Sequence, residues 1–139
     1  MIRILLAAFI LISGVRVKAG SYTESYSPEK IITITVNEAG QVFMGRDTLS
    51  LDHLAAELQN RLWKNYMGTG KMYDSIHLQF TGEVVMEIRG SAMDAIREAQ
   101  KKTLISICLE KHKKLFEDIT GRQQDKIRKQ FPVLFQQKY

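Results

Sequence analysis

Apolar and polar residues alternate from Lys30 to Val36, where Ile32, Ile34 and Val36 interleave with Thr33 and Thr35. That period of two, with β-branched residues, predicts a strand with one buried face. Asn37-Glu38-Ala39-Gly40 supplies a turn, since Gly40 accepts positive φ and Asn37 can bond its own backbone. Gln41 to Met44 is the partner strand, and Gly45-Arg46-Asp47 leads away from it. The period then changes. Leu51, Leu54, Ala55, Leu58, Leu62 and Tyr66 form one helical stripe with Trp63 at its edge. Ser50 is the expected N-cap, Asp52 lies in the first turn, and Tyr66-Met67-Gly68-Thr69-Gly70 ends the helix.

Ser75 to Phe80 alternates again and predicts a strand. Val84 to Arg89 does the same, with Thr81-Gly82 as the turn between them. Ser91-Ala92-Met93-Asp94 reads as a capping box opening a helix that runs to about Glu117. Thr103 to Leu109 is rich in β-branched residues, so a helix to Lys101 followed by a strand over 103–109 is the alternative. Thr120 with Gln123 marks another cap, a short basic helix follows, and Pro132 stops it. Val133, Leu134 and Phe135 are expected to dock back onto the body. The fold class is α+β: a small sheet with an N-terminal β-hairpin, packed against amphipathic helices, with a helical C-terminal extension.

In front of this lies Met1-Ile2-Arg3, then the uncharged run Ile4 to Val15, closed by Arg16 and Lys18. Twelve uncharged residues are short for a span of about 20 but suit a signal h-region. Val17-Lys18-Ala19 places small residues for cleavage before Gly20; a retained anchor and a buried cytoplasmic helix are the alternatives. The expected organisation is a signal peptide or short anchor (1–19), a polar linker (20–30), an α+β domain (31–110) and a basic helical extension (111–139).

Charge sharpens the division. Residues 101–139 hold ten Lys/Arg against four Asp/Glu, although the whole chain is only +5. Glu110, Glu117, Asp118 and Asp125 interrupt the basic run. Lys111, Lys113, Lys114, Lys126, Arg128 and Lys129 therefore read as solvated helical faces before they read as a membrane or polyanion surface, and nucleic acid is not an expected partner. The lone Cys108 excludes an intrachain disulfide and is expected to be buried and inert. His53, His77 and His112 lack ligand spacing. Ser50 and Ser91 are taken as caps, Asp47 and Asp52 as turn and first-turn residues, and Gly68-x-Gly70 lacks the rest of a phosphate loop. No catalytic, cofactor-binding or metal residue is assigned, and the chain is read as non-enzymatic.

The order of these elements resembles the periplasmic part of the ExbD/TolR family of biopolymer transport proteins. The resemblance rests on Val36-Asn37-Glu38-Ala39-Gly40-Gln41-Val42-Phe43, on Ser50-Leu51-Asp52-His53-Leu54, and on Met93-Asp94-Ala95-Ile96-Arg97-Glu98-Ala99. Val84 to Ile88 resembles the family's next strand, and Phe116 to Pro132 resembles the tail of its longer Bacteroidetes-type members. It covers roughly residues 31–135. The resemblance implies a periplasmic component of an energy-transducing transport or envelope-maintenance complex at the inner membrane. It also implies a homodimer beside an ExbB/TolQ-like channel and a TonB/TolA-like arm. Two family features are missing: Ile4 to Val15 has no Asp or Glu for proton relay, and Arg89-Gly90-Ser91 replaces an Ala-Asp-x-x-x-x-Tyr signature. A complete ExbD-like homologue is therefore a further expected partner. The alternative is an exported adaptor or structural protein sharing only the fold. The sheet edge left by the hairpin Ile31–Met44 is the expected place of dimerisation.

Overall fold

The computed structural model describes residues 30–139. The expected signal peptide or anchor (1–19) and residues 20–29 of the linker lie outside the described residues. Strands β1 (Ile31–Val36), β2 (Gln41–Met44), β3 (Asp47–Ser50) and β4 (Ser75–Phe80) form one sheet in the order β3-β2-β1-β4. β1 runs antiparallel to β2 and parallel to β4, and β2 runs antiparallel to β3. Helices α1 (Leu51–Thr69), α2 (Met86–His112) and α3 (Gly121–Gln130) complete an α+β fold, with short 3-10 turns at Phe116–Asp118 and Pro132–Phe135.

The first hairpin forms as its residues dictate. Gly40 takes φ 79°, and the Asn37 carboxamide oxygen accepts from the Ala39 and Gln41 amides at 3.1 and 2.9 Å. The chain then turns again instead of leading away. Gly45, at φ 62°, sits first in the two-residue loop Gly45-Arg46, the place a type II′ hairpin gives to glycine. Asp47–Ser50 thereby becomes β3, and Arg61 of α1 holds it down by pairing with Asp47 and, at 3.1 Å, with Glu57. Both outer sides of the hairpin are thus covered, β2 by β3 and β1 by β4. Among the described residues the edges of the sheet are β3 and β4 instead.

Ser50 is the residue before α1, as expected, but its hydroxyl makes no cap bond and lies 2.7 Å from His53 Nδ1. Gly70 ends α1 in the left-handed conformation, its amide donating to the Tyr66 carbonyl at 2.7 Å.

Two expectations are corrected in the second half. Val84–Arg89 is not a strand: Gly82 turns the chain at φ 76°, Val85 caps α2, and helix begins at Met86. Ser91 lies inside that helix and is not its cap. The physical reason is a longer stripe. Ile88, Ala92, Ile96, Ala99, Gln100, Thr103 and Ile107 recur at three- and four-residue intervals and pack inward together, outweighing a five-residue alternation. The same stripe carries 103–109 as helix and excludes the strand alternative. Lys113 closes α2 at φ 58°, a few residues before the expected end near Glu117.

The core lies between one sheet face and the helices. Ile32, Ile34, Val36, Val42, Met44 and Ile76 of the sheet meet Leu54, Leu58 and Leu62 of α1 and Ile96, Ala99, Ile107 and Cys108 of α2. The C-terminal segment belongs to the same core. Ile127, Phe131, Val133 and Leu134 are buried in it, so the docking expected for 133–135 is present and extends further back. The Thr120–Gln123 capping box forms in both directions, at 3.2 and 3.1 Å. Gln100, buried in α2, donates to the carbonyls of Val133 and Gln136 at 2.7 and 2.9 Å and accepts from the Tyr139 hydroxyl at 2.6 Å. That amide therefore has both ends satisfied, which is what makes its burial tolerable.

Candidate functional site

The residues with reactive side chains remain apart. His53 and His77 are exposed and His112 is half-buried, each on a different element. Among the described residues no group of three His, Cys, Asp or Glu side chains converges on a cation position. Cys108 is fully buried; burial, and then the nearby Glu117 charge, push its thiol up and away from the reactive thiolate. A shallow open groove of about 520 Å³ runs between β3 and α1 past Asp47, Leu49, His53 and Glu57. Its two carboxylates are both taken by Arg61, and the Ser50–His53 contact is a local pair on an exposed turn. The groove holds no arrangement of nucleophile, base and orienting group.

Lys111, Lys113, Lys114, Lys126, Arg128 and Lys129 are all exposed, as expected of solvated faces, and two of them also lie over aromatic rings. Lys111 lies 6.0 Å from the Tyr66 ring and 5.7 Å from the Phe131 ring, and Arg128 lies 5.2 and 5.8 Å from Phe116 and Phe135. These cations cover the seam where the C-terminal segment joins the body.

The sheet presents the more distinctive surface. The face that no helix covers among the described residues carries Thr33, Thr35, Gln41, Thr48, His77 and Gln79, with Phe43 37% exposed among them. At the β4 edge the ladder decides which groups are available. The amides of Asp74 and Ser75 donate to the Lys30 carbonyl and that of Thr81 to the Val36 carbonyl. Pairing with β1 therefore uses Ser75, His77 and Gln79, and the backbone groups of Ile76, Leu78 and Phe80 point outward.

Ile76 is closed by a side chain acting as a one-residue strand. The Gln136 carboxamide accepts from the Ile76 amide at 2.8 Å and donates to its carbonyl at 2.7 Å. Leu78 and Phe80 have no such cover among the described residues. Their side chains are half-buried, and Arg89 lies 4.5 Å over the Phe80 ring while donating to the Val84 carbonyl at 2.9 Å. Val85 and Met86, 57% and 81% exposed, stand at the adjacent start of α2. The sequence signalled β4 but not its neighbours, so neither the open pair of residues nor the Gln136 clamp, sixty residues away, was readable in advance.

No family model and no curated protein matches the chain. Among the described residues no helix is long and apolar enough to cross a membrane.

Proposed function

We propose that the protein is a non-enzymatic, periplasmic component of an ExbD/TolR-like energy-transducing transport or envelope-maintenance complex, working by binding other proteins. The observation that carries this reading is the order of elements on which the resembling motifs fall. The Val36–Phe43 motif spans a tight antiparallel hairpin, Ser50–Leu54 opens α1, and Met93–Ala99 lies on α2. A sheet with one face and one edge uncovered among the described residues suits protein recognition by strand addition. In this reading the protein acts as a homodimer at the periplasmic face of the inner membrane. A channel subunit or a complete homologue supplies the proton-carrying carboxylate that Ile4 to Val15 lacks.

One observation favours the second reading, an exported adaptor sharing only part of the scaffold. The segment resembling the family's next strand, Val84 to Ile88, is the start of a helix. Two measurements separate the readings. Tagged full-length protein isolated from envelope membranes should bring an ExbB/TolQ-like channel subunit with it, and Ile4–Val15 should be replaceable by an unrelated cleavable signal without loss of an envelope phenotype. Export without any such subunit selects the adaptor. Recovery in the cytoplasmic fraction with Met1 intact overturns both.

A further inference from the structure

The open edge of β4 has a self-complementary register. We infer that two copies of the protein join their sheets along β4, antiparallel, about a two-fold axis through Gln79. This deepens the protein-binding reading above and rests on it.

Edge strands are ordinarily blunted by charge, proline or a bulge. β4, Ser-Ile-His-Leu-Gln-Phe, has neither a formal charge nor a proline. Its only blunting device among the described residues is Gln136 on Ile76. What stays open is the outward backbone of Leu78 and Phe80. A long extended peptide along this edge would run into the Gln136 clamp. A second copy centred on Gln79 does not. Leu78 then faces Phe80 of the other copy, and Phe80 faces its Leu78, forming about four backbone hydrogen bonds. Ile76 would face the turn at Gly82, φ 76°, where no ladder is required.

Side chains fit the same register. Leu78 and Phe80, half-exposed at the rim of the core, would cover one another as cross-strand pairs. The Ile76 end of the edge carries Asp74 and Lys138, and the Phe80 end carries Glu83 and Arg89. The two-fold axis lays the Ile76 end of one copy against the Phe80 end of the other, so both signs of charge meet at each end, with Glu38 beside Gly82 among them.

On the open sheet face, Gln79 is exposed and would lie opposite Gln79 of the second copy. Directly opposed, non-hydrogen-bonded residues have Cα atoms about 4.5 Å apart, within disulfide range. Gln79→Cys in the full-length chain, expressed in cells and treated with a mild oxidant, should therefore give a disulfide-linked species of twice the mass on a non-reducing gel. His77→Cys should not, because its two copies sit roughly 13 Å apart along the strands. Thr48→Cys on β3 should not, and neither should the parent chain, whose Cys108 is buried. Leu78→Pro supplies the second arm. The Leu78 amide points away from β1, so proline there keeps the internal ladder and removes only the outward donor. It should weaken self-association at least tenfold in sedimentation while leaving the far-ultraviolet spectrum unchanged.

Cross-linking at Thr48→Cys in place of Gln79→Cys overturns the register. So does a Gln79→Cys chain that links only to a different protein, or links to nothing. Dimerisation undiminished in a folded Leu78→Pro chain overturns it too. Should Leu78→Pro not fold, the cysteine pattern alone decides. None of these failures touches co-isolation with a channel subunit, which tests the wider reading separately.

Discussion

Replacing Phe131 by alanine asks whether the C-terminal segment is an appendage or part of the core. Phe131 is fully buried, its ring meets Tyr66 edge-on at 5.4 Å, and Lys111 lies above it. Truncating a fully buried phenylalanine costs about 3–5 kcal/mol through lost transfer energy and the cavity left behind. The surroundings have little freedom to collapse, because the carbonyls of Val133 and Gln136 are tied through Gln100 to α2. Against a typical stability of roughly 5–15 kcal/mol, that is a large share. At about 4–8 °C per kcal/mol, the midpoint should fall by roughly 12–40 °C. Trp63 provides the assay, since it packs 5.8 Å from Tyr66 and reports on the same cluster in urea titrations. The midpoint should drop with the slope unchanged, as expected of a cooperative unit. A loss below about 1 kcal/mol, the scale of ordinary surface substitutions, would refute the argument. It would show that the segment detaches without consequence for the sheet and α1.

Gly82→Ala should cost about 1–3 kcal/mol, because the new Cβ would meet the Glu38 carboxylate in a position held at φ 76°. Adding Glu38→Ala should restore only part of this in urea titration, since the backbone strain stays. Gln136→Ala should lower stability by about 1 kcal/mol, accelerating exchange at the core amide of Ile34 by only about fivefold and at Ile76 by at least about tenfold. Stability should also decline in alkali. Burial raises the Cys108 thiol, helped by Glu117; burial raises Tyr66, helped by Glu110; and burial raises Tyr139 against an opposing pull from Arg97. Groups raised on folding contribute fully below their unfolded values, about 8.5 for cysteine and about 10 for tyrosine. That contribution is lost as pH rises through the folded ones. Urea midpoints measured from pH 7 to 11 should begin to fall near the cysteine value in the parent chain and later in Cys108→Ala.

The parts of the fold legible in advance are those whose signals are local. Asn37 and Gly40 define their own turn, the Leu54–Leu58–Leu62 stripe defines α1, and Thr120 with Gln123 defines a cap, each within a few residues. β3 escaped because a four-residue strand following Gly45-Arg46 offers almost no period to read. Val84 to Ile88 misled because alternation over five residues competes with a helical stripe that declares itself only over twenty. The candidate surface was least legible of all. An edge is open or closed according to what lies beside it, and here the deciding side chain is Gln136. Nothing in a strand's own residues reports on a neighbour so distant in the chain.

The position of Gln136, Phe131 and Gln100 in one closure also orders events in time. The segment that plugs the core and closes the Ile76 end of the β4 edge is synthesised after every surface it covers. β1 must likewise wait for β4, its parallel neighbour from beyond α1. Local pieces such as the first hairpin and α1 can flicker into shape early, but each is too small to persist alone. Cooperative closure comes only when 127–139 arrives, and until then the Ile76 backbone stands open beside that of Leu78 and Phe80. Assembly of this molecule is therefore a late, long-range event, with a relatively slow folding limb and a nascent chain whose stickiest moment falls just before 127–139 is added.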